Sequence, residues 1–543
     1  MKKILKVIAL MLVAAFVLSA CGNGGGQVTG GTEPSVETNG DESSTVTDMG
    51  GTAIVETGTE TTRTHLNWAL GAMPPSLDPT MALDMPGSQV GKIIHQTLFT
   101  QSFAADGTMS IVGLLAEDYE IIDSQNLRVW LREGVMFHDA SMMTAEDVQW
   151  SLERAGVSPH VAPIANMIES VTIEDDFTVV IHLNIPFAPI LSNLAHTSTS
   201  ILSRSAVERL TPEVHQFEPV GLGPFKVTNY VAGDRIEMAR FDDFWGELPL
   251  LETITMRAIP DGSMRAIELE TGAIDLAYAI LPPDFNRLRN DPNVTMMSTF
   301  TFGADFIGFN NQRAPFDDVR VRQAILYAID GEVLVNAAFQ GTSAPVNGPL
   351  AEMVWGSYSA NLPTREFNIE RARELLAEAG FPDGFSTTIW TNQNDTRIDM
   401  ATILQSDLRV IGIDVEIEVL EWGAYLDATA AGEHEMFILG WVATTGDADY
   451  GLFPTHHSSS FGATGNRAFY HNPEVDRLLD LGRSETDPAR RLEIYAEAQR
   501  LIWEDAPMFY TNQTEVLIGT VPDLRGLRLL PNQHHTITTI FFE

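Results

Sequence analysis

The segment "GFSTTIWTNQNDTRIDMATILQSDLRVIGIDVEIEVLEW", Gly384 to Trp422, decides the fold class. Its two ends, residues 384–390 and 413–422, are rich in β-branched residues and alternate apolar with polar, as half-buried strands do. Between them, Asp399 to Val410 reads as a helix, and Gly412 supplies the turn into the second strand. Strand, helix, strand in that order implies parallel pairing in an α/β lobe. Working outward, "FNIERARELLAEAGFPDG" is a second helix. Asn368 is placed to cap it, Ile369, Ala372, Leu376 and Ala379 form its apolar stripe, and Gly380 with Pro382 ends it. "DDVRVRQAILYAID" (317–330) puts acids at the positive end of a helix dipole and lines Val321, Ala324, Ile325 and Ala328 along one face. Further back, "NLRVWLREGV" (126–135) alternates like a strand. "TAEDVQWSLERA" follows, with Thr144 and Asp147 spaced as a capping box and Val148, Leu152 and Ala155 on one face. Mixed β and α there implies a second α/β lobe.

The N-terminus sets the compartment. Lys2, Lys3 and Lys6 precede an apolar run from Val7 to Leu18, and then comes "LSAC", ending at Cys21. Charge, length and small residues make residues 1–20 a signal peptide. The run is shorter than the about 20 residues a membrane-spanning helix needs. Cys21 is the only cysteine in the chain, so it has no internal disulfide partner. It stands where a lipoprotein signal peptidase leaves its new N-terminus, in a pattern that resembles the bacterial lipobox. Acyl chains there would anchor the protein without spanning the bilayer, each buried CH₂ contributing about 0.8 kcal/mol. Residues 21–64 are rich in Gly, Ser, Thr and Glu and nearly free of aromatics, a composition that reads as a disordered tether. The expected location is the outer face of the cytoplasmic membrane.

Beyond the tether, roughly 480 residues exceed one simple core and call for at least two lobes. The formal charge is −40, and removal of the three signal-peptide Lys, with no acid among residues 1–20, takes it to −43. Phosphate backbones attract Lys and Arg, so nucleic acid is excluded as a partner.

Several blocks resemble one family in order. They are "LAEDYEIIDSQNLRVWLREGVMFHDASMMTAEDVQWSLERA" (115–155), "PVGLGPFKV" (219–227), "LETGAIDL" (269–276) and "GFNNQRAPFDDVRVRQAILYAID" (308–330). After them come "ARELLAEAGFPDGF" (372–385), "EWGAYL" (421–426), "GEHEMFILGW" (432–441), "NPEVDRLLD" (472–480) and "RLEIYAEAQRLIWEDAP" (491–507). Together they resemble the extracytoplasmic solute-binding proteins of ABC importers, in the dipeptide/oligopeptide/nickel family (family 5). The likeness runs from about residue 65 to 543 and is strongest to the dipeptide-binding branch, through "EWGAYL", "GEHEMFILGW" and the late His534-His535. Ala140 and Leu222 depart from the family's usual Gly and Thr, both in lobe-building segments.

The resemblance implies an α/β, two-lobed periplasmic-binding-protein-like clamshell, of class II type and the large peptide-binding variety. Lobe I would comprise 65–304 plus 513–543, and lobe II 305–512. The implied work is capture of a peptide or peptide-like solute in the cleft, with hinge closure and delivery to the permease and ATPase subunits of an ABC importer. No cofactor and no bond chemistry are implied, and a monomer is expected. The same fold could carry a nickel chelate, haem or an oligosaccharide. A secreted hydrolase would need two carboxylates facing each other across the cleft.

The implied site has three parts. "GWVATTGDADYG" (440–451) follows a strand, and ligands commonly bind outside the carboxyl ends of strands in α/β folds. Gly440 and Trp441 would contact ligand there. In peptide-binding relatives an Asp three residues after this Trp pairs with the peptide ammonium, and here that residue is the neutral Thr444. Either Asp447 takes over the amine, or the ligand lacks a free amine at this spot. Asp447 and Asp449 equally suit loop capping. Gly71, Ala72 and Met73, in "LNWALGAMPPSLDP" (66–79), match the other edge of the cleft and suit backbone hydrogen bonds to an extended ligand. In the third part, relatives of the dipeptide branch grip the peptide carboxylate with an Arg in a longer loop. Here Asn392 and Gln393 offer neutral hydrogen bonds, and the nearby Arg397 falls at the start of the following helix. The His residues show no metal-ligand spacing, and neither a G-x-S-x-G nor a P-loop is present.

Overall fold

The computed structural model describes residues 63–81, 83–104 and 109–543. The signal segment 1–20, Cys21 and the tether as far as residue 62 lie outside the described residues. Arg63 and Thr64 are already part of the fold: Arg63 packs over the Phe542 ring and ion-pairs with Asp275, and the Thr64 carbonyl accepts from the Glu252 N–H at 2.8 Å.

The segment 384–422 forms the expected unit. Ser386–Asn392 and Asp414–Leu420 are strands paired in parallel, and the helix Asp395–Arg409 connects them. The helix starts four residues earlier than the periodicity indicates, because Asn394 caps it: its Oδ1 accepts from the Arg397 N–H at 3.0 Å. Met400, Ala401, Leu404 and Leu408 form its buried face. Gly412 has φ +86° and lies so close to the Asp383 carbonyl that a Cβ would stand 2.8 Å from it, so only glycine fits both demands.

The other helices form with the expected caps. In Ala145–Val157 the Asp147 carboxylate accepts from the Thr144 N–H at 3.1 Å. Asn368 accepts from the Arg371 N–H at 3.0 Å at the head of Ile369–Glu378. The helix of segment 317–330 is shorter, Val319–Tyr327, because Asp318 is its cap and accepts from the Arg320 N–H at 2.8 Å. The 126–135 strand is also shorter, Asn126–Leu131; the chain then turns at Gly134, φ +76°.

One eleven-stranded mixed sheet runs through the molecule. Its order is Asp414–Leu420, Ser386–Asn392, Met436–Val442, Thr295–Phe309, Met508–Thr520, Leu276–Tyr278, His65–Leu70, Thr253–Ala258, Arg235–Arg240 and Phe225–Val231, with Ala344–Pro345 paired to Met508–Thr520 off that path. Four hydrophobic cores lie on and beside it. Two are built from residues between Leu66 and Val294 together with Leu517 to Phe542. The other two draw on residues between Phe302 and Tyr510, joined by Phe103. The result is a two-lobed α/β architecture. The first lobe carries an extra module, a four-stranded antiparallel sheet covered by Ala145–Val157, with a core of its own.

Two long antiparallel strands, Thr295–Phe309 and Met508–Thr520, pass from one lobe into the other. Their pairing is regular from Thr295 to Phe300, breaks, and resumes at Ala304 opposite Gln513. At the break Thr301 Oγ1 donates to the Thr514 carbonyl at 3.1 Å, and Gly303 leaves no room for a Cβ beside Thr514. The regular ladder is therefore interrupted where the lobes meet.

Candidate functional site

A cavity of about 630 Å³ lies between the lobes, within the range that holds small peptides and cofactors. Its walls come from the carboxyl ends of strands in both lobes. Leu70, Gly71 and Ala72 follow His65–Leu70; Asn392 and Gln393 close Ser386–Asn392; Gly440, Trp441, Val442 and Thr444 close Met436–Val442. The lobes touch across it: Gln101 Nε2 donates to the Thr444 carbonyl at 2.5 Å, and the Gly262 N–H donates to Asp395 at 3.2 Å.

The sequence-derived residues divide. Gly71, Ala72, Asn392, Gln393, Gly440, Trp441 and Thr444 all line the cavity. Met73 does not; it is buried in the first lobe's core. Asp447 does not either. It caps the helix Ala448–His456, its Oδ1 accepting from the Asp449 N–H at 2.9 Å, and both its oxygens take Arg491 N–H groups at 2.9 and 3.1 Å. Asp447 is thus committed to Arg491 and the helix cap and stands outside the cavity lining, so the expectation that it takes over the amine is corrected. Asp449 is buried in turn against Arg483 at 3.0 Å. Burial pushes its pKa up to about 6, with the Arg483 charge opposing. Both acids build the loop.

Two of the lining residues from segment 440–451 have defined tasks. Trp441 donates its indole N–H to the Tyr450 carbonyl at 2.8 Å and packs against the Tyr450 ring, which fixes its face toward the cavity. Gly440 lies opposite Asp305 in the sheet, and a Cβ there would strike the Asp305 carboxylate. Its lack of a side chain is what lets Asp305 occupy the cavity wall.

Eight charged residues line the cavity, none of them selected from the sequence: the exposed Asp395 and Asp427, the half-buried Glu515, and five more with defined surroundings. Asp305 is 6% exposed, and burial pushes its pKa up while Arg397 opposes the shift. Arg397 approaches Asp305 at 3.4 Å and donates to Asn392 Oδ1 at 2.9 Å. A charge-assisted pair at full strength sits near 2.7–2.9 Å, so this pair is loose. Arg397 does lie in the first turn of its helix, as its sequence position indicates, yet its side chain still reaches the cavity. Arg265 is 4% exposed and donates to the backbone carbonyls of Ile259, Pro260 and Ala279. Arg467 is 7% exposed and donates to Thr429 Oγ1 at 3.0 Å. Burial pushes both guanidinium pKa values down. Neither Arg265 nor Arg467 forms an ion pair with a described carboxylate. The fifth is Asp84, which caps the helix Met85–Ile94 by accepting from the Gly87 N–H at 2.9 Å. Isolated Arg and Asp codes carry no periodic or spacing signal, so only the folded arrangement shows that these five converge.

The comparisons agree with this architecture. The model of "Bacterial extracellular solute-binding proteins, family 5 Middle" matches residues 110–463. The glutathione-binding protein GsiB of Pectobacterium atrosepticum is 33% identical over 476 residues, covering 86% of this chain and 91% of that protein. The ABC transporter-associated periplasmic binding protein DppA from Helicobacter pylori, solved with the peptide STSA, superposes with a TM-score of 0.84 at 30% identity, covering 89% of this chain and 98% of that one. The dipeptide-binding protein from Pseudoalteromonas sp. SM9913, solved with Met-Leu, shares the fold at 24% identity with a TM-score of 0.83, covering 88% of this chain and 100% of that one. The chain belongs to the bacterial extracellular solute-binding proteins of family 5.

Proposed function

We propose that this protein captures a short peptide bearing more than one carboxylate outside the cytoplasm and hands it to the permease and ATPase subunits of an ABC importer. The observation that carries this reading is the pair of buried guanidiniums, Arg265 and Arg467, that line the cavity without a carboxylate partner among the described residues, with Arg397 only loosely held. Buried charges are ordinarily paired, because desolvation costs several kcal/mol. A ligand with two carboxylates supplies the missing partners from both lobes, since Arg265 stands in the first and Arg397 and Arg467 in the second. Such a ligand favours the closed form over the open one, which is what shifts a clamshell equilibrium. The relatives at about a third identity include glutathione-binding proteins, and glutathione is a tripeptide with two carboxylates.

Gly71 and Ala72 then serve as the backbone edge for an extended ligand, Asn392 orients Arg397, and Trp441 offers an apolar face beside Thr444. Family members are transport binding proteins, so the work is enclosure and release and no bond is broken. Lobe I comprises 65–304 with 513–543 and lobe II 305–512, hinged at the interrupted ladder near Thr301 and Thr514. The protein acts as a monomer, tethered by lipid on Cys21 to the outer face of the cytoplasmic membrane.

A thermal-shift screen with di- to hexapeptides, glutathione, oligosaccharides, haem and nickel chelates tests the reading. A true ligand at about 100 times its dissociation constant adds roughly 2.7 kcal/mol of stability. Glutathione or another peptide is expected to raise the melting temperature. A shift with a sugar, haem or chelate and none with any peptide overturns the assignment.

A further inference from the structure

One guanidinium on the cavity surface already has a carboxylate beside it, and that carboxylate is poorly held. Asp305 lies on the strand Thr295–Phe309, between Gly440 on one neighbouring strand and Asn512 on the other. Gly440 has no side chain to donate. The Asn512 amide gives its closer bond, 2.9 Å, to Ser343 Oγ and reaches Asp305 Oδ2 only at 3.5 Å. Arg397 stands 3.4 Å from Oδ1. Both distances exceed the about 2.7–3.2 Å of an ordinary hydrogen bond, so this buried carboxylate has no close partner among the described residues. Arg397, by contrast, keeps 16% of its side chain accessible and lines the cavity. Of its five N–H groups, Asn392 takes one at 2.9 Å and Asp305 another at 3.4 Å; the others have no acceptor among the described residues.

Resting on the peptide reading above, we propose that Asp305 is an internal counter-ion of Arg397 that a ligand carboxylate displaces, so that capture takes up one proton onto Asp305. The incoming carboxylate takes the open N–H groups and divides the pull of Arg397. Its charge also stands near Asp305 and disfavours the ionised form there. Both effects draw a proton from solvent: an O–H bond forms on Asp305, its buried charge disappears, and the guanidinium again faces a single carboxylate charge. Burial has already pushed the Asp305 pKa above the ordinary 3.8, Arg397 opposes that shift, and no other charged group among the described residues bears on it. The link is reciprocal, so a ligand that raises the Asp305 pKa binds more tightly once Asp305 is protonated. Affinity therefore rises as pH falls through the window between the free and the liganded pKa of Asp305, by at most about tenfold per pH unit for one proton, and levels off below it.

Titration calorimetry in buffers of different ionisation enthalpy counts the proton. Glutathione and Ala-Glu are the ligands; each bears two carboxylates, and between about pH 5 and 7 their own groups largely keep their charges. Asp84 and Asp449 also titrate near pH 6, so the count that matters is wild type minus variant. Asp305→Asn keeps the size of the side chain and mimics the protonated acid, and a melting curve checks its fold. At its maximum in this range the wild type is expected to take up about half to one proton more than Asp305→Asn. At pH 7 the variant is expected to bind about three- to tenfold more tightly, since Arg397 is free of its internal partner. Arg397→Met, which removes the shared guanidinium, is expected to lose the same increment of uptake. Equal uptake by the wild type and either variant, or an Asp305→Asn that binds no more tightly at pH 7, overturns the proposal and leaves the peptide reading standing. A wild type that binds neither peptide overturns both.

Discussion

Two groups of buried charges lie close together in this molecule and differ in one respect. In the 440–451 loop, Asp447 is matched by two Arg491 hydrogen bonds at 2.9 and 3.1 Å, and Asp449 lies 3.0 Å from the Arg483 guanidinium, which donates to its other oxygen at 3.4 Å. In the cavity wall, Asp84, Arg265 and Arg467 are buried as deeply, yet none has a counter-charge within ion-pair distance among the described residues. The first group holds helix Ala448–His456 and the helices that carry Arg483 and Arg491 in place. The second group is incomplete, and for the two guanidiniums the incompleteness is what a ligand can repair. Saturated charge builds; unsaturated charge in a cavity binds.

The largest expected effect breaks the saturated group. Arg483→Met strands the Asp449 carboxylate and removes the Arg483 donation to the Pro163 carbonyl at 2.8 Å, which joins the lobes. Denaturant unfolding should show a loss of about 3–5 kcal/mol. A loss under about 1 kcal/mol would remove this pair from the framework. In the unsaturated group, Arg467→Met should leave stability unchanged or higher while affinity for glutathione falls by about 10- to 100-fold. A variant that unfolds without loss of affinity would place Arg467 with the builders.

Asp84 gives the sharpest contrast in sign. Its folded pKa, about 6, lies above the ordinary 3.8, so the folded state holds the proton more tightly than the unfolded chain. The resulting destabilisation is absent below pH 3.8, grows between 3.8 and 6, and is complete above 6. At pH 7.5 Asp84→Asn should therefore stabilise the empty protein by about 2–3 kcal/mol. At pH 4 the difference should vanish. Asp449 shares the direction of shift, so the comparison of wild type with variant, and not the wild-type profile alone, isolates Asp84. A destabilised variant at pH 7.5 would make Asp84 a structural acid like Asp447. The smallest effect is expected from Asp447→Asn: some stability is lost through Arg491, and glutathione affinity stays within about twofold, because the side chain faces away from the ligand.

Much of the framework was legible in the sequence, because periodic patterns and caps are local. Residues 384–422 gave their strands, helix and glycine turn, and Asn368, Thr144 and Asp147 sit where their spacing places them. Cavity walls were legible mainly through the family resemblance, which supplied Gly71, Ala72, Asn392, Gln393, Gly440, Trp441 and Thr444, and in the structure each stands at or just after the carboxyl end of a strand. Met73 was misplaced because a chain leaving a strand end alternates faces, and its side chain turns into the core. Asp447 drew attention as an acid in a functional loop, but Arg491, 44 positions along the chain, could not be foreseen as its partner. For the same reason Asp84, Arg265, Asp305 and Arg467 were invisible: they meet only after four separate segments have folded.

The central claim is that the cavity's unpaired guanidiniums read the carboxylates of a short peptide. Titration calorimetry with glutathione and with its diethyl ester tests it most directly, because esterification removes both charges and keeps the peptide. Binding of glutathione, weakened by about 100-fold or more in the ester, is the predicted result. Equal binding of the two, or binding of neither, would contradict it.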